Sequence, residues 1–301
     1  MRNQSPNSLD YMLLFGLSAI FGMSFIFTNI SVQEIPPLTV AAGRLLIALL
    51  IVYPIMRIQK QRLPAIGKIW LTIFLSGLLG NALPFALISW GQVKVEAGLA
   101  AIFMAVMPLA TIVFAQFLTV DERINRWKLI AVLLGFAGIV VLMGFDSLSE
   151  LGDETLRQLA ILLAAFCYAL NAIVTRKLTS IPKYSMTSAL MIAACVLIVP
   201  FSLVLDQPLS LSPTASSLMA ILALAIGPTA IATMLILIII DRSGATFLSQ
   251  INFMVPLLGV VFGTVLLQEK LSANAYWALV IIILALAMSR YGQKQTSVSK
   301  A

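Results

Sequence analysis

AGLAAIFMAVMPLATIVFAQFLTVDE, residues 97–122, opens on small residues, runs apolar through Pro108 and closes on Asp121-Glu122 before the basic-polar tail Arg123-Ile124-Asn125. GATFLSQINFMVPLLGVVFGTVLLQE, residues 244–269, repeats that design, with Pro256 in place of Pro108 and Lys270-Leu271-Ser272 after Glu269. Phe114 follows Pro108 by six residues, and Phe262 follows Pro256 by six. Glu122 and Glu269 stand 147 residues apart in a chain of 301, so the stretch predicts two similar halves.

The same offset recurs elsewhere. It pairs Phe21-Gly22 with Tyr168-Ala169, Ser24 with Asn171, Thr28 with Thr175 and Gly80 with Gly227. It also pairs Ala131 with Ala278 and Gly138 with Ala285.

Composition places the chain in a bilayer. It is 60% hydrophobic and 10% charged, with a mean hydropathy of +1.03. A soluble domain carries about 25% charged residues, whereas apolar runs of about 20 residues are what a spanning helix needs. Ten such runs are expected, near 11–30, 37–56, 69–90, 97–118, 127–144, 156–175, 185–205, 215–240, 245–267 and 274–289. They must be helices, because in hydrocarbon each backbone amide has to be satisfied within its own segment. Strands of a membrane barrel would instead alternate over about 10 residues. The first run has only Arg2 before it and no small-residue cleavage site, so it reads as a retained span, not a signal peptide.

Fifteen of the 19 basic residues fall in one alternate set of segments: the two termini and the segments after the second, fourth, sixth and eighth spans. The other set holds only Lys94, Arg157 and Lys270. Cytoplasmic loops are the lysine- and arginine-rich ones, so both termini are expected inside. The acidic segment 145–154 (Asp146, Glu150, Asp153, Glu154) then lies outside as the linker between halves, 1–145 and 155–291, with 292–301 a cytoplasmic tail. Five spans per half is an odd number, so the second half enters the membrane inverted. The expected fold is an all-α polytopic membrane protein with ten transmembrane helices in two inverted five-helix repeats, an arrangement common among transporters.

Several chemistries are excluded. The chain has no histidine, which removes histidine metal sites and Ser-His hydrolysis. Cys167 and Cys195 lie inside apolar runs and read as small buried hydrophobes, not a redox pair. No cofactor and no metal are expected. The net charge of +7 is mostly loop charge, so no nucleic-acid partner is expected either.

These features together resemble the drug/metabolite transporter superfamily, EamA-type, over essentially the whole chain. The resemblance is carried by Phe21-Gly22 where the family usually has Trp-Gly, by Arg44, by Pro108…Glu122 and Pro256…Glu269, and by the half-chain repeat. Ala278 and Ala285 depart from the family's usual glycines. The resemblance implies an inner-membrane exporter of small metabolites, commonly amino acids or related compounds.

Polar groups inside the spans are few and therefore informative. Arg44 is the one charged residue well inside a span. It either anchors a substrate carboxylate or bonds helix carbonyl ends, and its place beside the family motif favours the structural role. Ser24, Asn81, Asn171 and Asn252 are neutral candidates for binding a polar head, the alternative being ordinary interhelical hydrogen bonds. Phe21, Trp90 and Tyr168 are candidate cavity walls. Pro84, Pro108, Pro228 and Pro256 are expected bending points, because proline removes a backbone donor and kinks a helix. Glu122 and Glu269 sit at span ends, where each is expected to cap or pair locally.

The leading expectation is a secondary transporter, a monomer or homodimer, moving a small molecule through a largely uncharged central cavity by alternating access. A membrane-embedded lipid-modifying enzyme is the first alternative, and it would need a paired acid and base or a metal cluster. A non-transport scaffold is the second.

Overall fold

The computed structural model describes residues 6–119, 124–144 and 152–298, and among them it contains helices and no strand. Ten apolar segments follow one another. They are α1 (Ser8–Val32), α2 (Pro37–Ile58), α3 (Ile69–Gly91), α4 (Ala97–Leu118), α5 (Arg126–Met143), α6 (Asp153–Leu178), α7 (Lys183–Asp206), α8 (Ala215–Leu248), α9 (Ile251–Leu266) and α10 (Ala273–Val298). All but α9 are long and apolar enough to cross a membrane, α10 through its portion Ala273–Gly292. α9 is short because its first turn is drawn into α8. Gly244 has φ +82°, outside the helical region, so the chain turns there and Ala245–Leu248 already belongs to the ninth crossing. α10 runs as helix to Val298, past the expected tail boundary at 292.

Local chemistry explains the helix ends. Asn7 and Asp10 form a reciprocal capping box at the start of α1. Asn125 caps α5 by accepting from the Lys128 amide at 2.9 Å. Pro37 opens α2, where its missing N–H would have had no partner anyway.

The packing has the twofold relation that the repeat demands. α1 packs on α8 and α9, and α6 packs correspondingly on α3 and α4. α2 lies against α7, α4 against α9, and α5 against α10, each helix touching its own counterpart. Thr28 and Thr175 are equivalent even in their bonds: each hydroxyl donates to the carbonyl four residues back, at 2.8 and 2.6 Å. The core is rich in small residues, among them Ala97, Ala100, Ala101, Ala131, Ala275, Ala278 and Ala285. Lipid is as apolar as leucine, so helices associate here by close van der Waals approach, which small side chains permit.

Two spans carry the same flaw in the same place. α3 widens into a π-helical turn at Leu78–Ala82, and α8 does so at Ala225–Ile231. The repeat offset of 147 maps Leu78 onto Ala225 and Gly80 onto Gly227. Pro84 starts the helix after the first bulge, and Pro228 lies within the second. A proline ring pushes on the carbonyl one turn back and offers it no donor, so the backbone relaxes by lengthening the turn.

The breaks in the fourth and ninth crossings lie upstream of the expected prolines. α4 is two helices, Ala97–Met104 and Met107–Leu118, parted at Ala105 and Val106. The ninth crossing parts at Ser249 and Gln250, before Ile251–Leu266. Pro108 begins its helix instead of bending it, since the first turn has no use for its amide. Pro256 sits inside α9.

Candidate functional site

The α8 bulge holds the chain's one buried mid-span cation. Arg44 of α2 is 7% exposed. Its Nε donates to Thr229 Oγ1 at 2.7 Å, and that hydroxyl in turn donates to the Leu224 carbonyl at 2.9 Å. The guanidinium carbon stands 3.7 Å over the centre of the Phe85 ring of α3. Phe85 packs in one cluster with Ala41, Ala42, Leu45, Ala194 and Cys195, and Tyr168 of α6 packs against it. Among the described residues Arg44 has no carboxylate partner, and elements of both halves touch it.

Desolvating an unpaired cation is costly. A desolvated cation–π contact returns about 2 kcal/mol. The terminal nitrogens of Arg44 make no hydrogen bond to a described residue, yet they are not fully enclosed. They keep a small accessible surface. The equivalent position in the second half is Met191, buried among Ala48, Val52 and Ala230. The site is thus asymmetric within a symmetric frame.

Asn171 of α6 is committed to structure on one side. Its Oδ1 accepts from Ser76 Oγ at 2.6 Å and lies 3.1 Å from Thr175 Oγ1. Its Nδ2 lies so close to Gly80 that a Cβ there would overlap it. The glycine of the α3 bulge is what lets α6 approach. Its repeat partner Ser24 is half-buried on α1, and its side chain makes no hydrogen bond to a described residue. Asn81 in the α3 bulge and Asn252 just after the α9 break are also half-buried, with amides that bond to no described residue. Phe21 packs among Leu14, Leu17, Ala232, Ile239 and Phe247 on the α1–α8 side.

Trp90 stands apart from this centre. It is 37% exposed at the end of α3, with the Arg157 guanidinium 4.6 Å from its ring centre. Arg157 also donates to the Trp90 carbonyl at 2.7 Å. The structure gathers Arg44 and Tyr168 with Phe85 and Thr229, and leaves Trp90 at a rim.

Glu269 caps a helix, as expected of a span-end acid, but a distant one. Its two oxygens accept from the Ala97 and Gly98 amides of α4 at 2.6 and 2.9 Å. Two other carboxylates do the same across the halves. Glu34 Oε2 accepts from the Thr214 amide, the Thr214 hydroxyl and the Ser217 hydroxyl, each at 2.8 Å, at the start of α8. Asp206 Oδ2 accepts from the Thr39 amide at 2.7 Å and its hydroxyl at 3.0 Å, at the start of α2. The bonds from Thr214 and Ser217 hold the Glu34 carboxyl below its ordinary value, whereas burial and the charges of Glu269 and Glu154 push Glu96 up. Glu122 lies outside the described residues.

Sequence reasoning missed Thr229, Ser76, Glu34 and Asp206. Thr229 follows Pro228, and a hydroxyl beside a helix break was the one available signal. Glu34 and Asp206 lie between the expected spans, where no motif singles them out. Among the described residues no group of three or more histidine, cysteine, aspartate or glutamate side chains could hold a metal. The arrangement offers one oriented cation, aromatic faces and several neutral amides: equipment for binding an anionic head on an apolar body.

Comparison with known proteins bears on what such a site serves. A model described as the EamA-like transporter family matches residues 9–144 and again 156–291. The uncharacterized inner membrane transporter YedA of Escherichia coli K12 is 26% identical over 93% of this chain and 90% of its own. The probable amino-acid metabolite efflux pump of the same strain is 25% identical, over 94% and 95%. The uncharacterized transporter YvbV of Bacillus subtilis 168 is 24% identical, over 95% and 92%. A solved crystal structure, 20% identical, superimposes with a TM-score of 0.67 over 94% of this chain and 98% of its own, which shows the shared fold.

Proposed function

The chain belongs to the EamA-like transporter family, and from that membership we propose an inner-membrane secondary exporter of small metabolites, chiefly amino acids or related amphipathic solutes. It works by alternating access. The observation that carries this reading is the pair of π bulges, Leu78–Ala82 and Ala225–Ile231, at equivalent places in the two halves. Interrupted helices in corresponding positions of a repeat are where transporters place their substrate, because widened turns present backbone carbonyls to a central space. The likeness to a probable amino-acid metabolite efflux pump supports the solute class.

In this reading Phe21, Ser24, Asn81, Tyr168, Asn171 and Asn252 line the path, with Trp90 at its mouth. The halves 1–145 and 155–291 rock against one another. The spans flex at the two bulges and at the breaks of the fourth and ninth crossings, with Pro84, Pro108 and Pro228 in or beside them and Pro256 farther along its helix, and both termini face the cytoplasm. No acidic residue lies mid-span, so efflux is facilitated and needs no buried carboxylate proton carrier.

The test is counterflow of radiolabelled amino acids, nucleosides and polyamines in liposomes containing the purified chain. Saturable exchange of amino acids, independent of an imposed proton gradient, is the expected result. Strict dependence on the gradient would overturn the facilitated mechanism, and exchange of nucleosides or polyamines alone would overturn the solute class.

A further inference from the structure

We infer that Arg44 is a carboxylate anchor and that the transported solutes are amphipathic monocarboxylates, free amino acids included, while solutes without a carboxylate are excluded. This deepens the transporter reading above and rests on it.

The geometry of the guanidinium carries the inference. An arginine offers five N–H donors in a planar fork. The Nε–H is taken by Thr229 Oγ1, which fixes the plane, and the face is taken by the Phe85 ring. What is left is the end-on edge formed by the two terminal nitrogens. That edge matches a carboxylate bidentately. Among the described residues it has no partner, and it is not sealed. A purely structural arginine would spend this edge on helix carbonyl ends or an acidic side chain, and this one does neither.

Charge balance points the same way. The elements that touch Arg44 bring Phe85, Tyr168 and Thr229, none of them anionic. A bound carboxylate supplies the missing counter-charge in a site of low dielectric, where one such contact is strong. The second half has Met191 at the equivalent position, so the site carries one positive charge and suits a single carboxylate over a dianion. Phe85 and Tyr168 give the apolar part of the solute aromatic faces to lie against.

The experiment uses the full-length chain and matched pairs of probes: L-leucine with L-leucinamide, L-phenylalanine with L-phenylalaninamide, and indole-3-acetate with indole-3-acetamide. Counterflow is measured for each, and in parallel phenylglyoxal labelling of Arg44 is followed by mass spectrometry with and without each probe. The wild-type chain is expected to exchange the acids at least tenfold faster than the amides. Acids, and not amides, are expected to slow labelling of Arg44. Arg44→Gln should abolish the discrimination, and Arg44→Lys should retain part of it, since the charge survives without the fork.

Equal exchange of acids and amides by the wild-type chain would overturn the proposal without recourse to any variant. So would Arg44 that resists phenylglyoxal altogether, or one that labels equally with and without acids. If no probe exchanges while acids still protect Arg44, the anchor stands and the exporter reading fails; if amides alone exchange, the exporter reading stands and the anchor fails.

Discussion

Glu269 Oε2 accepts the backbone N–H of Gly98 at 2.9 Å, while its Oε1 takes that of Ala97, so a carboxylate of one half caps a helix of the other. Glu34 on α8 and Asp206 on α2 repeat the device in both directions. A helix start leaves four amides unsatisfied and carries a partial positive charge. An acid from the opposite half answers both, and it ties the halves together through backbone instead of through mobile basic side chains.

Removing the Glu269 cap should therefore destabilise the fold. Glu269→Ala is expected to lower stability by about 1.5–3 kcal/mol, the range for a hydrogen bond to a charged group, with Glu269→Gln falling between. Thermal unfolding of the purified variants in detergent checks this, and an unchanged midpoint for Glu269→Ala would refute it.

Gly263 of α9 lies where the Glu269 carboxylate folds back, and a Cβ there would overlap Oε2. Gly263→Ala should displace the cap and cost nearly as much as losing it. The Gly263→Ala/Glu269→Ala double variant should cost clearly less than the two single losses added, because both remove one interaction. Full additivity would show that the two residues act separately.

Glu34 gives a pH signature. Its three donors hold the carboxyl below its ordinary value. For an acid depressed on folding, the stabilisation is complete above the unfolded pKa and is lost as pH falls through the folded one. The protection factor of the Thr214 amide, its exchange relative to the intrinsic rate at the same pH, should fall in acid in the wild-type chain, and in Glu34→Gln it should be low with a much weaker pH dependence. A protected, pH-insensitive Thr214 amide in both chains would count against the cap.

Glu96 has the opposite sign. Burial, then the nearby charges of Glu269 and Glu154, raise it. An acid raised on folding loses stability as pH climbs from its unfolded value through its folded one. Glu96→Gln should raise the unfolding midpoint by a few degrees near pH 7 and make no difference near pH 4. A lower midpoint at pH 7 would mean that the charge is needed where it stands.

Gly80→Ala should cost about 1–3 kcal/mol, typical of overpacking, because the added methyl enters the space of Asn171 Nδ2. Asn171→Ala in that background should recover part of the loss. No recovery would place the strain in the α3 bulge itself.

The ten spans were legible in the sequence because a spanning helix is a local object: about 20 apolar residues satisfy their own backbone. The repeat was legible too, through Glu122 and Glu269, Gly80 and Gly227, and Thr28 with Thr175. The π bulges were half legible, since Pro84 and Pro228 announced a disturbance but not its form. The breaks of α4 and the ninth crossing were misplaced by a few residues, because a proline also suits the first turn of the helix that follows a break.

The site itself was not legible in this way. Arg44 meets Thr229 across 185 positions of chain, Ser76 meets Asn171 across 95, and Ala97 meets Glu269 across 172. No pattern within a segment foretells such partners, because which side chains face each other depends on how helices of both halves rotate and close in lipid. The sequence by itself determined how many times the chain crosses the membrane and that it does so in two like halves, since backbone satisfaction is settled within each segment. Only the tertiary structure decided that the buried mid-span cation keeps an open edge and that the acidic ends cap the opposite half, because side-chain satisfaction is settled between segments.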